Sequence, residues 1–208
     1  MIAMTSGPRS SPLALTVLSL LHFKPLHPYG VQRLIKQWGK DRVVNVGQRT
    51  SLYRTIDRLL AAELIAVRDT ERDQQYPERT VYEITGAGRE AARAWMLEML
   101  REPRREFPEF PVALSNLLLL EPEEIIGALA ARLTAVESEL AALDSSLAGS
   151  HRSGLPRIAG LEDEYLRAVT AAEAAWLTGT LADLRSGTLT WDTDELRAFA
   201  AAAEQQPG

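Results

Sequence analysis

The stretch TSLYRTIDRLLAAELIAV, residues 50–67, decides how the chain is read. Leu52, Ile56, Leu59 and Leu60 fall at i, i+4, i+7 and i+8, which lays them along one side of a helix. The pattern predicts a helix from Thr50 to Glu63, with Thr50 or Ser51 able to cap its start. At Ile65 the period changes to two: Ile65 and Val67 alternate with Ala66 and Arg68, as in a strand. A polar run from Thr70 to Glu78 follows, then a second strand from Arg79 to Thr85, with Tyr82 and Ile84 on one face. Two short strands about a polar loop read as an antiparallel hairpin whose long loop has a mobile tip.

Upstream, an apolar run predicts a helix from about Pro12 to just before Pro25. A second helix is expected from Tyr29 to Trp38, with Val31, Leu34 and Ile35 on one face and Gly39 as its stop. The β-branched segment Val43–Val46 reads as a small strand. A fourth helix is expected from Gly88 to Arg101. Helix, helix, short strand, helix, hairpin is the order of a winged helix-turn-helix.

Past a linker at 102–111, which holds Pro103, Pro108 and Pro111, the chain reads as helical. Leu114–Leu120 is a short apolar helix. Glu121-Pro122-Glu123-Glu124 is a helix start, with proline in the first turn and carboxylates at the positive end of the dipole. From there Ile126, Leu129, Leu133, Val136, Leu140, Leu143 and Leu147 alternate spacings of three and four, a heptad seam. The segment from Gly149 to Gly160 breaks it. A last helix runs from Leu161 to Leu184, with apolar residues on more than one face. The expected fold is mainly α: a winged helix-turn-helix domain followed by an all-helical dimerisation domain. The divisions are a disordered start at 1–10, a DNA-binding domain at 11–101, a dimerisation and effector domain at 112–190, and a tail at 191–208.

Charge agrees with two halves of different duty. Residues 1–100 hold 14 Lys and Arg against 10 Asp and Glu, a net of +4, while residues 101–208 hold 9 against 18, a net of −9. There is no cysteine, which removes disulfides, thiol nucleophiles and thiolate zinc sites, and fits a cytoplasmic protein. His22, His27 and His151 lack metal spacing, and no glycine loop cradles phosphate. Neither an enzyme nor a cofactor is expected. The run Leu13–Phe23 has the length of a signal-peptide core but no small-x-small site after it. It is too short to span a bilayer and reads as a buried helix; no membrane partner is expected.

The predicted third helix has the form of a recognition helix. Thr50, Ser51, Arg54 and Arg58 lie on or near the side away from its apolar stripe, Tyr53 is on the flank, and Gln48 and Arg49 approach from its start. Arginine can fork onto a guanine edge or grip phosphate, and hydroxyls can bond either. Asp57 interrupts this face, where it can orient Arg54 or Arg58 by spacing. In the hairpin, Arg72, Gln74 and Arg79 suit a wing along a DNA backbone, diluted by Glu71, Asp73 and Glu78. Leu129, Leu133, Val136, Leu140 and Leu143, with Trp176 of the last helix, are the expected dimerisation residues; alternatively the seam closes on the last helix within one chain and leaves that helix's second stripe for the partner. The rival reading is a winged-helix interaction module without DNA binding.

Several blocks resemble the PadR family of regulators. They are His27-Pro28-Tyr29-Gly30, the run from Thr50 to Leu59, Glu63-Leu64-Ile65, and the run from Arg79 to Thr85 followed by Gly86 and Gly88-Arg89. Residues 121–124 and Trp176 extend the likeness to the longer members, which add a helical C-terminal region. One position departs: the family usually has glycine before the Leu-Ile that opens the wing, and here stands Glu63. The resemblance implies a dimeric repressor or activator whose DNA binding is altered by a small, often aromatic or phenolic, effector; a two-fold homodimer is then expected to read an inverted-repeat duplex operator. Trp95, flanked by Met96 and Met99, is then the candidate for lining an effector cavity, or else a packed core residue.

Overall fold

The computed structural model describes residues 10–46, 49–71 and 79–192. The chain forms two compact units, Met1–Glu106 and Phe107–Gly208.

In the first unit, α1 (Pro12–Phe23) starts on Ser11, whose hydroxyl accepts from the Ala14 N–H, with proline at the first position. The next helix, α2 (Pro28–Gln37), starts on His27, whose Nδ1 accepts from the Gly30 N–H at 3.0 Å. A 3-10 turn at Lys40–Arg42 leads toward α3 (Arg49–Ala61). Strands β1 (Ile65–Glu71) and β2 (Arg79–Ile84) pair antiparallel from Ile65 opposite Ile84, with a register shift between Val67 and Asp69. Then comes α4 (Gly86–Arg101), capped by Thr85 two residues earlier than the sequence suggests. Leu18, Ile35, Leu52, Ile56, Leu59, Ile65 and Ile84 meet in one core, so the stripe read from residues 52–60 does face inward.

The expected strand at Val43–Val46 does not form. Val44 and Val46 are buried as loop residues, and the backbone partner of the wing comes from elsewhere. Leu26 and Tyr82 exchange both backbone hydrogen bonds at 3.0 Å, a single antiparallel bridge beside β2. Leu26 lies between Pro25 and the His27 cap, and its two bonds satisfy at Tyr82 the part of the sheet edge that a third strand would have satisfied. The third helix also begins earlier than expected, at Arg49, which places Thr50 and Ser51 inside its first turn.

The join between α3 and the wing explains the departure at Glu63. The Leu64 N–H bonds the Leu59 carbonyl at 3.0 Å and the Glu63 N–H bonds the Leu60 carbonyl at 2.9 Å, which together make a Schellman stop. That motif needs a left-handed residue at its turn, and Glu63 adopts φ 57°, the one described non-glycine residue to do so. The turn has therefore kept its shape without glycine, at a cost of about 1–2 kcal/mol. Glu63→Gly is expected to raise stability by about 1 kcal/mol, seen as a higher denaturation midpoint at unchanged slope. An unchanged or lower midpoint would show that Glu63 has compensating contacts.

In the second unit, α5 (Glu109–Leu114) begins inside the expected linker. Pro111 falls in its first turn, where a missing N–H costs nothing. The expected helix Leu114–Leu120 breaks because the Ser115 hydroxyl and the Asn116 amide both donate to the Val112 carbonyl, at 2.8 and 2.7 Å. A 3-10 turn at Leu117–Leu119 follows. Next is α6 (Pro122–Arg152), opened by a reciprocal capping box between Glu121 and Glu124, and it passes through Gly149 rather than stopping there. Gly154, at φ 71°, turns the chain, and α7 (Leu161–Ser186) returns antiparallel. The pairs Ser146–Asp163, Asp144–Arg167 and Arg132–Glu173 fix that register. Ile125, Leu129, Leu177 and Leu181 form its core, with Leu133 and Val136 packed against it. Residues 193–208, which include most of the expected tail, and residues 1–9 of the expected disordered start, lie outside the described residues.

Candidate nucleic-acid interface

The helix α3 presents two sharply different sides. Leu52, Thr55, Ile56 and Leu59 are buried, while Thr50, Tyr53, Arg54, Asp57, Arg58 and Ala61 are exposed. At roughly 100° per residue, Thr50, Arg54, Asp57 and Ala61 run down the centre of the open side. Tyr53 and Arg58 flank them, and Ser51 is half-buried. Thr55, the buried polar residue of this helix, donates to the Ser51 carbonyl at 2.9 Å, so it carries no desolvation penalty. Arg58 bonds the same hydroxyl at 3.2 Å, which anchors one end of its guanidinium. Asp57 does not perform the orienting role expected of it: no ion pair joins it to Arg54 or Arg58. Among the described residues, no ion pair or hydrogen bond holds the Arg54 side chain.

The base of the wing meets this helix. The Tyr82 phenol is held above its ordinary pKa, first by burial and then by the charge of Asp57 and by Tyr53, while Thr80 pulls it down. Tyr82 joins β2 to the Leu26 bridge and lies within electrostatic reach of Asp57 and Tyr53 on α3. Of the remaining expected interface residues, Gln48, Arg72 and Gln74 lie outside the described residues, as do the side chains of Arg49 and Arg79. The segment entering α3 borders an open cleft of about 500 Å³ lined by Lys36, Asp41, Arg42 and residues 43–46.

On α4, Trp95 packs against the core of the first unit, Met99 is half-buried and Met96 is 45% exposed. In the second unit, Leu129 and Leu143 are buried within the chain, and Leu133, Val136 and Leu140 are half-buried. Trp176 is 46% exposed and meets Phe110 edge-on at 6.1 Å, while the Arg132 guanidinium lies 3.5 Å over the Phe110 ring. The outer side of α7 is different. Leu161, Tyr165, Val169 and Trp176 are all exposed and fall within an arc of roughly 80°. Among the described residues, no helix is long and apolar enough to cross a membrane, and no group of three His, Cys, Asp or Glu could hold a metal ion.

A three-helix core with an antiparallel wing, exposing a polar face on its third helix, defines the fold class: a winged helix-turn-helix domain. Residues 17–94 match the sequence model of the transcriptional regulator PadR-like family, so the first unit holds a PadR-like domain. This bears out the resemblance carried by residues 27–30, 50–65 and 79–89. The family is one of regulators, not of enzymes. A search of curated proteins finds no match. Among solved structures, Bacillus subtilis PadR in complex with operator DNA is similar at 18% identity, covering 84% of this chain and 99% of that one, with a TM-score of 0.71. Bacillus subtilis PadR in complex with p-coumaric acid is similar at 16% identity, covering 85% and 99%, with a TM-score of 0.66. The Vibrio cholerae virulence activator AphA is similar at 19% identity, covering 84% and 98%, with a TM-score of 0.61. At these identities the likeness is one of fold.

Proposed function

We propose that the chain is a dimeric, sequence-specific DNA-binding transcriptional regulator that lays the open face of α3 in the major groove. The observation that carries this is the division of α3 itself: a fully buried stripe on one side, and Thr50, Tyr53, Arg54, Asp57 and Arg58 along the other. The net of +4 in the front half supplies the long-range attraction to phosphate. The same fold holding operator DNA in Bacillus subtilis PadR supports the reading. The rival, an interaction module without DNA binding, would also use an exposed Arg54, and binding to duplex DNA separates the two.

The partner subunit is proposed to cover the outer stripe of α7, which the chain alone leaves open. A two-fold pair of heads then reads an inverted repeat with half-sites roughly 34–36 Å apart. Occupancy of such a site in the cytoplasm acts as repression, relieved by a small aromatic effector. The p-coumaric acid complex of Bacillus subtilis PadR motivates the effector class, and Trp95, Met96 and Met99 remain its proposed lining.

Arg54→Ala is the direct test. It is expected to weaken binding to the selected duplex by about 1–3 kcal/mol and to relax preference at one base position. Fluorescence anisotropy against the selected duplex and a scrambled one measures both. Wild-type affinity and unchanged preference in the variant would place the reading surface elsewhere.

A further inference from the structure

Asp57 stands in the centre of the exposed face of α3, one turn from Arg54 and flanked by Tyr53 and Arg58. It makes no hydrogen bond or ion pair with any described residue. Asp57 neither caps α3 nor pairs across it; its charge reaches the Tyr82 phenol, which it makes harder to ionise without bonding to it. Facing a polyanion it is repelled, so a surface built only to grip DNA gains by losing it. Its position resolves the conflict. The centre line of a recognition helix comes nearest to the base edges, so a short side chain can reach them while the flanks meet the backbone.

Of the groups displayed in the major groove, guanine offers two acceptors, thymine an acceptor and a methyl, and adenine a donor beside an acceptor. Cytosine alone offers an amine with no acceptor next to it. A carboxylate accepts from that amine, whereas the adenine N7 lone pair repels its second oxygen. We infer that Asp57 is a specificity-determining residue that accepts a hydrogen bond from the N4 amine of one cytosine in each half-site, beside the contact made by Arg54. The inference rests on the proposal that α3 reads DNA. Arg54 and Asp57 then form a donor and an acceptor at i and i+3 that read neighbouring base pairs in opposite senses. At all other sequences Asp57 is an unpaired charge against acceptors, so it contributes discrimination by rejection as well as by contact.

The test is selection from a random duplex library with the intact protein, its Asp57→Ala variant and its Asp57→Asn variant, each sequenced to saturation. Asp57 is exposed, and both replacements leave the buried stripe untouched. The wild type is expected to favour cytosine at one position of each half-site by about tenfold or more. Asp57→Ala is expected to lose that preference alone, with every other position unchanged and binding to unrelated duplex strengthened. Asp57→Asn is expected to move the preference to adenine, because an amide can donate to N7 and accept from N6. Identical preferences in the wild type and both variants would overturn the inference, leaving Asp57 a general repelling charge, while a clear wild-type operator would still uphold the DNA-reading proposal. A wild type that selects no sequence would overturn both.

Discussion

Replacing Tyr165 and Val169 with aspartate is expected to give a folded monomer that has lost about 10²- to 10⁴-fold of its affinity for a full operator. Tyr165 is 69% and Val169 50% exposed in the single chain, so neither supports the packing of α6 on α7. Two charges buried at a subunit contact without partners are costly, whereas on an open surface they cost little. In the proposed dimer a single mildly basic head would make few phosphate contacts, and joining two heads would make the second contact nearly intramolecular. Sedimentation, circular dichroism and binding on one sample separate the possibilities. A helical monomer with wild-type operator affinity would break the link between dimerisation and function. A variant that stays dimeric would move the interface off α7. The choice of residues matters here. Leu133, the natural target on the heptad seam, packs into the core of the second unit, so a charge there would damage the hairpin itself.

Gly88→Ala is expected to be the most damaging single methyl group in the first unit. A Cβ at this position would meet the Leu64 carbonyl oxygen at 2.0 Å and Ile84 Cγ1 at 2.8 Å. The first of these is backbone, and it is fixed from several sides. The Thr85 N–H bonds the Leu64 carbonyl, the Thr85 hydroxyl donates to the Glu63 carbonyl at 2.8 Å, and the Leu64 N–H closes the stop of α3. The new atom must therefore push α4 off the wing. The expected loss is about 3 kcal/mol, which lowers the melting temperature of a unit this size by more than roughly 10 °C. Gly86→Ala is the control, since a Cβ there meets nothing within 4 Å. Equal melting temperatures for the two variants would contradict the account of this junction.

The same junction shows what the sequence reveals and what it hides. The stripe Leu52, Ile56, Leu59 was legible because burial imposes a period that a row of residues displays. The hairpin was legible because the period changes at Ile65. The glycine missing at residue 63 looked like a departure in the turn, yet the backbone holds φ 57° there. Local propensity gave way to a stop fixed by two carbonyls and by the packing of Gly88 behind it. The strand expected at Val43–Val46 was misread because β-branched residues satisfy a core equally well from a loop. The true edge partner, Leu26, is one residue between a proline and a cap and has no periodicity to read.

In the second unit the heptad seam was legible, but a seam does not name its partner. Leu129 and Leu143 are buried by their own chain, and the open stripe lies on the last helix, the arrangement that the two apolar faces of that helix allowed as the alternative. On α3 the residues of the candidate interface were legible as a face. The isolation of Asp57 was not, because the spacing to Arg54 and Arg58 suggests ion pairs that the side chains do not make.

The central claim is that the open face of α3 reads duplex DNA, and a salt-titrated gel shift on fragmented genomic DNA with competitor, followed by footprinting, tests it most directly. The account predicts that a small set of fragments is retained at excess competitor. It also predicts an inverted repeat in the footprint and an affinity that falls log-linearly with salt. Retention of all fragments alike, or of none at any salt, would contradict it.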